Sequence, residues 1–149
     1  MLACTFFGHS DCPETIRPNL QAVLIDLIVN QNIEMFYVGN QGQFDAIVRN
    51  VLRVLKMDYP SINYAVVLAY MPGKKSEYED HSDTMLPEGI EMVHPHYAIS
   101  WRNNWMLRQS EYVVTYITRT WGGAAQYAAK AKRLKKNVIN LHNGNQSNC

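Results

Sequence analysis

Short runs of β-branched and aromatic residues alternate along this chain with longer segments whose apolar positions recur every three or four residues, an alternation that leaves few folds open. Leu2 to Phe7 is an apolar run stopped by Gly8-His9-Ser10. Ile33 to Val38 is closed by Gly39-Asn40-Gln41-Gly42, and Ile62 to Tyr70, Tyr112 to Ile117 and Asn137 to Leu141 complete the set. Each has the length and composition of a strand. Ala65 to Ala69 is apolar throughout, as expected where both faces of a sheet are covered.

The intervening segments read as helices. Pro13 opens the first, with Ser10 or Asp11 as caps, and Leu20, Val23, Leu24, Leu27 and Ile28 follow at helical spacing. Pro18 lies inside this window and can hold the start of the regular helix back to its own position. Phe44 to Met57 places Phe44, Ile47, Val48, Val51, Leu52 and Leu55 on one face before Tyr59-Pro60 ends it. Tyr97 to Gln109 carries Ile99, Trp101, Trp105, Met106 and Leu107, and Ala124 to Leu134 is rich in Ala and Lys. Met71 to Pro95, with three prolines and, between Glu77 and Glu88, five acidic residues, is the long irregular segment, of the kind that serves as a lid.

Five strands alternating with four helices predict an α/β fold, a doubly wound parallel sheet between two helical layers, with strand order 3-2-1-4-5. At 149 residues the chain has the size of one domain, placed at 1–141, followed by a polar tail at 142–149. Ligands of such sheets bind beyond the carboxyl ends of the strands, where strand order reverses. That order brings three turns to one edge: Gly8-His9-Ser10, Gly39 to Gly42, and Trp121-Gly122-Gly123.

The last of these separates a strand from a helix. A pair of glycines there leaves backbone N–H groups unpaired at the positive end of the helix dipole, a seat for phosphate or carboxylate. The same pair also serves tight packing, so the turn acquires meaning only from its neighbours.

Charge and cysteines bound the setting. Fourteen basic and thirteen acidic residues leave a formal charge of +1, so no global field draws the chain to nucleic acid or an anionic membrane, and a charged ligand must be recognised locally. Cys4, Cys12 and Cys149 are odd in number and form no C-x-x-C, which points to a reducing compartment. The N-terminal apolar run is too brief for a signal sequence, and no stretch approaches about 20 apolar residues. A soluble cytoplasmic protein is expected.

Several side chains are candidates for a site, each with a plainer alternative. Asp45, in the first turn of the second helix, contacts a ligand or complements the helix dipole. His9 is a phosphate contact or a hydrogen-bonding turn residue. Arg102 meets a ligand or is an exposed helix charge. His94 and His96 lack a matching Cys, His or Asp cluster, so no metal is expected, and nothing calls for a cofactor. Lys130, Lys132, Arg133, Lys135 and Lys136 suit a solvated helix end near the negative dipole pole, and no basic-aromatic track accompanies them, so nucleic acid is not the favoured partner.

Phe7-Gly8-His9 at the end of the first strand, Gly39-x-x-Gly42-x-x-Asp45 after the second, Arg102-x-x-x-Met106 in the third helix and Gly122-Gly123-Ala124 opening the fourth share an order and spacing. Over residues 3 to 141 the chain resembles the SLOG superfamily, Rossmann-like nucleotide-binding proteins that include the LOG phosphoribohydrolases, long labelled lysine decarboxylases, and the DNA-processing protein A domain. It is most similar to small bacterial members of unassigned function with an Arg-Asn-x-x-Met helix and a Trp-Gly-Gly-Ala turn. The resemblance implies a Rossmann-like fold and a pocket for a nucleotide or nucleotide-derived ligand. In it Gly122, Gly123 and Ala124 would cradle phosphate, Gly39, Asn40 and Gly42 would approach the sugar and phosphate, and Arg102 would make forked contacts. Gly8, His9, Ser10, Asp45 and Trp121 complete the implied ligand-binding set. A homo-oligomer is compatible with the resemblance, since LOG relatives form dimers or larger assemblies.

One departure matters. LOG enzymes carry Pro-Gly-Gly-x-Gly-Thr-x-x-Glu, whose glutamate takes part in catalysis. Here Trp121 replaces the proline, Gln126 and Tyr127 stand around the glutamate position, and no acidic residue follows Gly123 in the helix. Hydrolysis of an N-glycosidic bond needs a carboxylate near the oxocarbenium-like transition state. Asp45 and Glu91 are the substitutes on offer, with Arg102 the remaining catalytic candidate. The expectation is therefore a module that binds or senses a nucleotide-derived small molecule. Phosphoribohydrolase-type hydrolysis of nucleoside monophosphates is the alternative, and nucleic-acid binding the second alternative.

Overall fold

The structure is a computed structural model that describes residues 2–71 and 83–143. Its strands are β1 (Leu2–Gly8), β2 (Ile33–Val38), β3 (Asn63–Val67), β4 (Thr84–Met85), β5 (Tyr112–Tyr116) and β6 (Asn137–Asn140). The helices are α1 (Arg17–Asn30), α2 (Gly42–Asp58), α3 (Ala98–Gln109) and α4 (Gly123–Arg133). All strand pairs are parallel, in the order β4-β3-β2-β1-β5-β6. The strands expected from the sequence thus stand in the expected 3-2-1-4-5 order, and the fold is the α/β, Rossmann-like one.

The sheet has six strands where five were expected. The additional strand, Thr84–Met85, lies within the stretch read as irregular. Two residues are too short for an alternating pattern to register. What fixes them is hydrogen bonding to β3, where Val66 N–H donates to Asp83 O at 2.7 Å and Leu68 N–H to Met85 O at 2.9 Å. Short 3-10 turns at Ile90–Met92 and Pro95–Tyr97 then lead into α3. The remainder of the stretch considered as a lid, residues 72–82, lies outside the described residues, as do Cys149 and the tail from residue 144.

Strand alternation builds two cores. Cys4, Phe6, Phe36, Val38, Val66 and Val114 face the layer of α1 and α2, packing with Leu20, Leu24, Phe44, Val48 and Leu52. Phe7, Val67 and Val113, one residue out of step, face α3 and α4 through Met106, Leu107 and Ala131. Residues 13–16 do not start a regular helix. A 3-10 turn at Glu14–Ile16 precedes α1, and Pro18 occupies its first turn, where a missing N–H costs no internal hydrogen bond. In α4 the buried residues are Ala125, Ala128 and Ala131, small enough to let the helix lie close on the sheet.

The chain steps from β1 outward through β2, β3 and β4, then returns to the other side of β1 for β5 and β6. Strand order therefore reverses between β1 and β5, and α4 begins beside that point.

Candidate functional site

The turns after β1 and β2 are locked together. At Gly42, with φ at +84°, an added Cβ would stand 2.7 Å from the Ser10 Cα, and Gln43 N–H donates to Ser10 O at 2.9 Å. Gly8 is closed in from the other side: a Cβ there would lie 2.3 Å from the Phe44 ring. These glycines serve backbone approach.

His9 ties the same turn to the loop after β5. Its N–H donates to Tyr116 O at 3.2 Å, and its Nε2 accepts from Thr118 N–H at 3.1 Å. An accepting Nε2 places the proton of the neutral ring on Nδ1. Burial holds the imidazole below its ordinary pKa, the Arg119 charge adds to this, and Asp11 opposes it. His9 is thus a neutral, buried hydrogen-bonding turn residue on the wall of a cleft.

Asp45 and Arg102 close on Gly39. A Cβ on that glycine would come within 2.8 Å of Asp45 Oδ2 and 3.0 Å of Arg102 Nη1. Asp45 Oδ2 accepts from Gln41 N–H at 3.0 Å. Burial nevertheless pushes its carboxyl up to about 6, against the lowering effects of the Gln41 hydrogen bond and of Arg102 and Arg49. Arg102, far from being an exposed helix charge, is 2% exposed. Its Nη1 donates to Val67 O at 2.8 Å and Asn40 Oδ1 at 3.2 Å, and its Nε to Asn103 Oδ1 at 2.8 Å. Nη2 meets no acceptor among the described residues, and the side chain lines the cleft.

The glycine turn forms another part of the cleft's lining. Gly122 has φ at +100°, and a Cβ on Gly122 or Gly123 would meet nothing within 4 Å. No side chain among the described residues caps α4, whose first internal hydrogen bond runs from Gln126 N–H to Gly122 O at 3.1 Å. The first-turn N–H groups therefore face open space at the positive end of the helix. Gly122, Gly123 and Ala124 line the cleft, which encloses about 240 Å³ and also takes in Gly8, His9, Ser10, Asp45 and Arg102.

Other candidates sit elsewhere. Glu91 lines a separate hollow with Tyr70 and Glu88, so of the two substitute carboxylates only Asp45 is on this cleft. Gly39 and Asn40 stand behind the wall, against Arg102, and Trp121 is 67% exposed beside it. His94 Nδ1 is taken by His96 N–H at 3.0 Å, and among the described residues no group of three or more His, Cys, Asp or Glu is arranged to hold a metal. No helix among them is long and apolar enough to cross a membrane.

Arg119 was missed from the sequence. It lines the cleft from the loop after β5, with its guanidinium 4.3 Å from the centre of the Trp121 ring and 3.4 Å from Asp11 Oδ1. Its Nε is buried and has no hydrogen-bond partner among the described residues. Its place at the carboxyl end of a strand beside the reversal of strand order was the available signal. Tyr127, also missed, contributes a ring stacked on Phe7 at 5.3 Å.

No protein-family model and no curated protein matches the sequence. Among solved structures, DNA processing protein A from Streptococcus pneumoniae superposes with a TM-score of 0.66 at 12% identity, covering 93% of this chain and 49% of that one. The Helicobacter pylori protein of the same name, whose structure concerns a single-stranded DNA binding mode, gives 0.57 at 14% identity, covering 92% of this chain and 63% of the other. The chain thus spans about half to two thirds of these proteins. At such identities the likeness is one of fold: nearly the whole chain adopts the Rossmann-like architecture found in DNA processing protein A.

Proposed function

We propose that the cleft binds the phosphate of a nucleotide-derived small molecule. The observation that carries this reading is the presence on one cleft of an open glycine turn at the start of α4 and a buried arginine whose Nη2 has no acceptor among the described residues. A phosphate between them accepts N–H bonds from the turn and a charge-assisted bond from Arg102. Arg119 supplies a second cation on the same cavity. Asp45 is the carboxylate closest in kind to a catalytic group, and its raised pKa suits proton transfer. Without the LOG glutamate the reading stays with binding, and hydrolysis of nucleoside monophosphates is its enzymatic variant.

Calorimetry and thermal shift with nucleoside monophosphates and ADP-ribose test the proposal. A ligand that binds only the folded chain stabilises it by RT ln(1 + L/Kd), with L the free ligand concentration, so the melting temperature rises with ligand concentration. A folded sample that no member of the panel stabilises refutes it. Chromatography of the same mixtures for free base reports hydrolysis, which Asp45→Asn abolishes if that carboxyl acts.

A second reading comes from the Helicobacter pylori neighbour and its single-stranded DNA. Tyr127 lines both the cleft and an adjoining polar groove that carries Lys130 and Arg133. A strand with its phosphate in the cleft would follow that groove. This predicts a mobility shift that weakens steeply with salt and with removal of Lys130 and Arg133. Absence of any shift at low salt rules it out.

A further inference from the structure

Trp121 is a large apolar side chain beside the cleft that the fold leaves uncovered. It is 67% exposed, whereas Trp101 and Trp105 are partly buried. It is also held in place. The Arg119 guanidinium lies 4.3 Å from the ring centroid, and Arg119 is anchored in turn to Asp11 at 3.4 Å. The next residues, Gly122 and Gly123, form the wall on which the phosphate is placed, and Arg119 itself lines that cavity. One side of the indole is therefore backed by a cation fixed to the site, while the rest is open beside the place where a phosphate ends.

We infer that Trp121 is a stacking platform for a nucleobase, so that the ligand of the cleft is a nucleoside phosphate rather than bare phosphate or a sugar phosphate. This rests on the phosphate-binding reading above. With phosphate on the glycine turn, the sugar spans the rim and the base lies on the indole. Stacking on an aromatic face is tolerant of sequence because every base has such a face, and it strengthens with ring area. No hydrogen-bonding side chain is needed at the base edge for this preference, which orders ligands as purine, then pyrimidine, then ribose 5-phosphate.

The test is a titration of the full chain with AMP, CMP, ribose 5-phosphate and inorganic phosphate, read by tryptophan emission and calorimetry, in wild type, Trp121→Leu and Trp121→Phe. Because the side chain is exposed, all three proteins fold, and circular dichroism verifies that. AMP is expected to quench emission and to bind wild type on the order of ten- to a hundredfold more tightly than ribose 5-phosphate. Trp121→Leu reduces AMP to the level of ribose 5-phosphate, leaves ribose 5-phosphate unchanged and removes the quench. Trp121→Phe retains most of the preference. Ribose 5-phosphate binding wild type as tightly as AMP overturns the platform while the phosphate site stands, as does an AMP preference that survives Trp121→Leu. Failure of all four ligands to bind overturns the phosphate site and the platform with it.

Discussion

The imidazole of His9 accepts a hydrogen bond from the backbone N–H of Thr118 at 3.1 Å, joining the turn after β1 to the loop that leads into Gly122. The bond exists only while the ring is neutral. Burial lowers the folded-state pKa of His9, so below the unfolded value the unfolded chain binds more protons. Its contribution to stability is complete above the unfolded pKa and is lost as pH falls through the folded one. His9→Gln keeps a neutral acceptor that cannot titrate, and its melting temperature should fall less than that of wild type between pH 7 and pH 5. Superimposable profiles would remove this role.

Asp45 has the opposite sign. Its carboxyl is raised from 3.8 to about 6 in the folded protein, so the native state holds the proton more tightly than the unfolded chain. Stability from this group is full below about pH 4 and is lost as pH rises through 6. Asp45→Asn retains an acceptor for Gln41 N–H without the buried charge. At pH 7.5 it should be the more stable protein by about 1–3 kcal/mol in urea denaturation, and the gap should close at pH 4.

The glycines divide into two kinds. Gly8→Ala forces a methyl into the Phe44 ring and should cost about 1–3 kcal/mol, as overpacking does. A Cβ on Gly123 meets nothing within 4 Å, so Gly123→Ala should melt within a few degrees of wild type and Gly123→Val, which fills more of the cleft, should lose at least tenfold in phosphate affinity. Equal affinity in Gly123→Val would place the phosphate elsewhere.

Arg102 and Asp45 are coupled through the space around Gly39. Arg102→Met strips Val67 O and Asn40 Oδ1 of their donor and leaves the carboxylate with only the weaker influence of Arg49. A double-mutant cycle with Asp45→Asn should give a coupling on the order of 0.5–3 kcal/mol, with Arg102→Met costing less in the Asp45→Asn background than in wild type. Additive losses would show the two charges to be independent.

The architecture was legible because strands such as β5 and helices such as α2 are single uninterrupted patterns, and a parallel sheet leaves them few arrangements. That Gly122, Gly123, Gly8 and Asp45 share one cleft could be read from the sequence because turns at the carboxyl ends of strands meet wherever strand order reverses. The burial of Arg102 was not legible. Asn103 is its neighbour in α3, but nothing in the sequence of α3 says that the guanidinium also reaches Val67 O and Asn40, since those two partners come from other parts of the chain. Arg119 escaped for a similar reason, as its contact with Trp121 is a property of a loop conformation. Glu91 was drawn into the site by charge type alone, and the path of the chain after β3 carries it to another hollow.

The two-residue strand β4 has a consequence for solubility. β3 is apolar on both faces through Ala65, Val66 and Val67, and without Thr84–Met85 its outer rim would offer unpaired amides and carbonyls to any extended chain. Deleting residues 83–86 to shorten the connection would therefore uncap the sheet and open a route to strand-by-strand polymerisation.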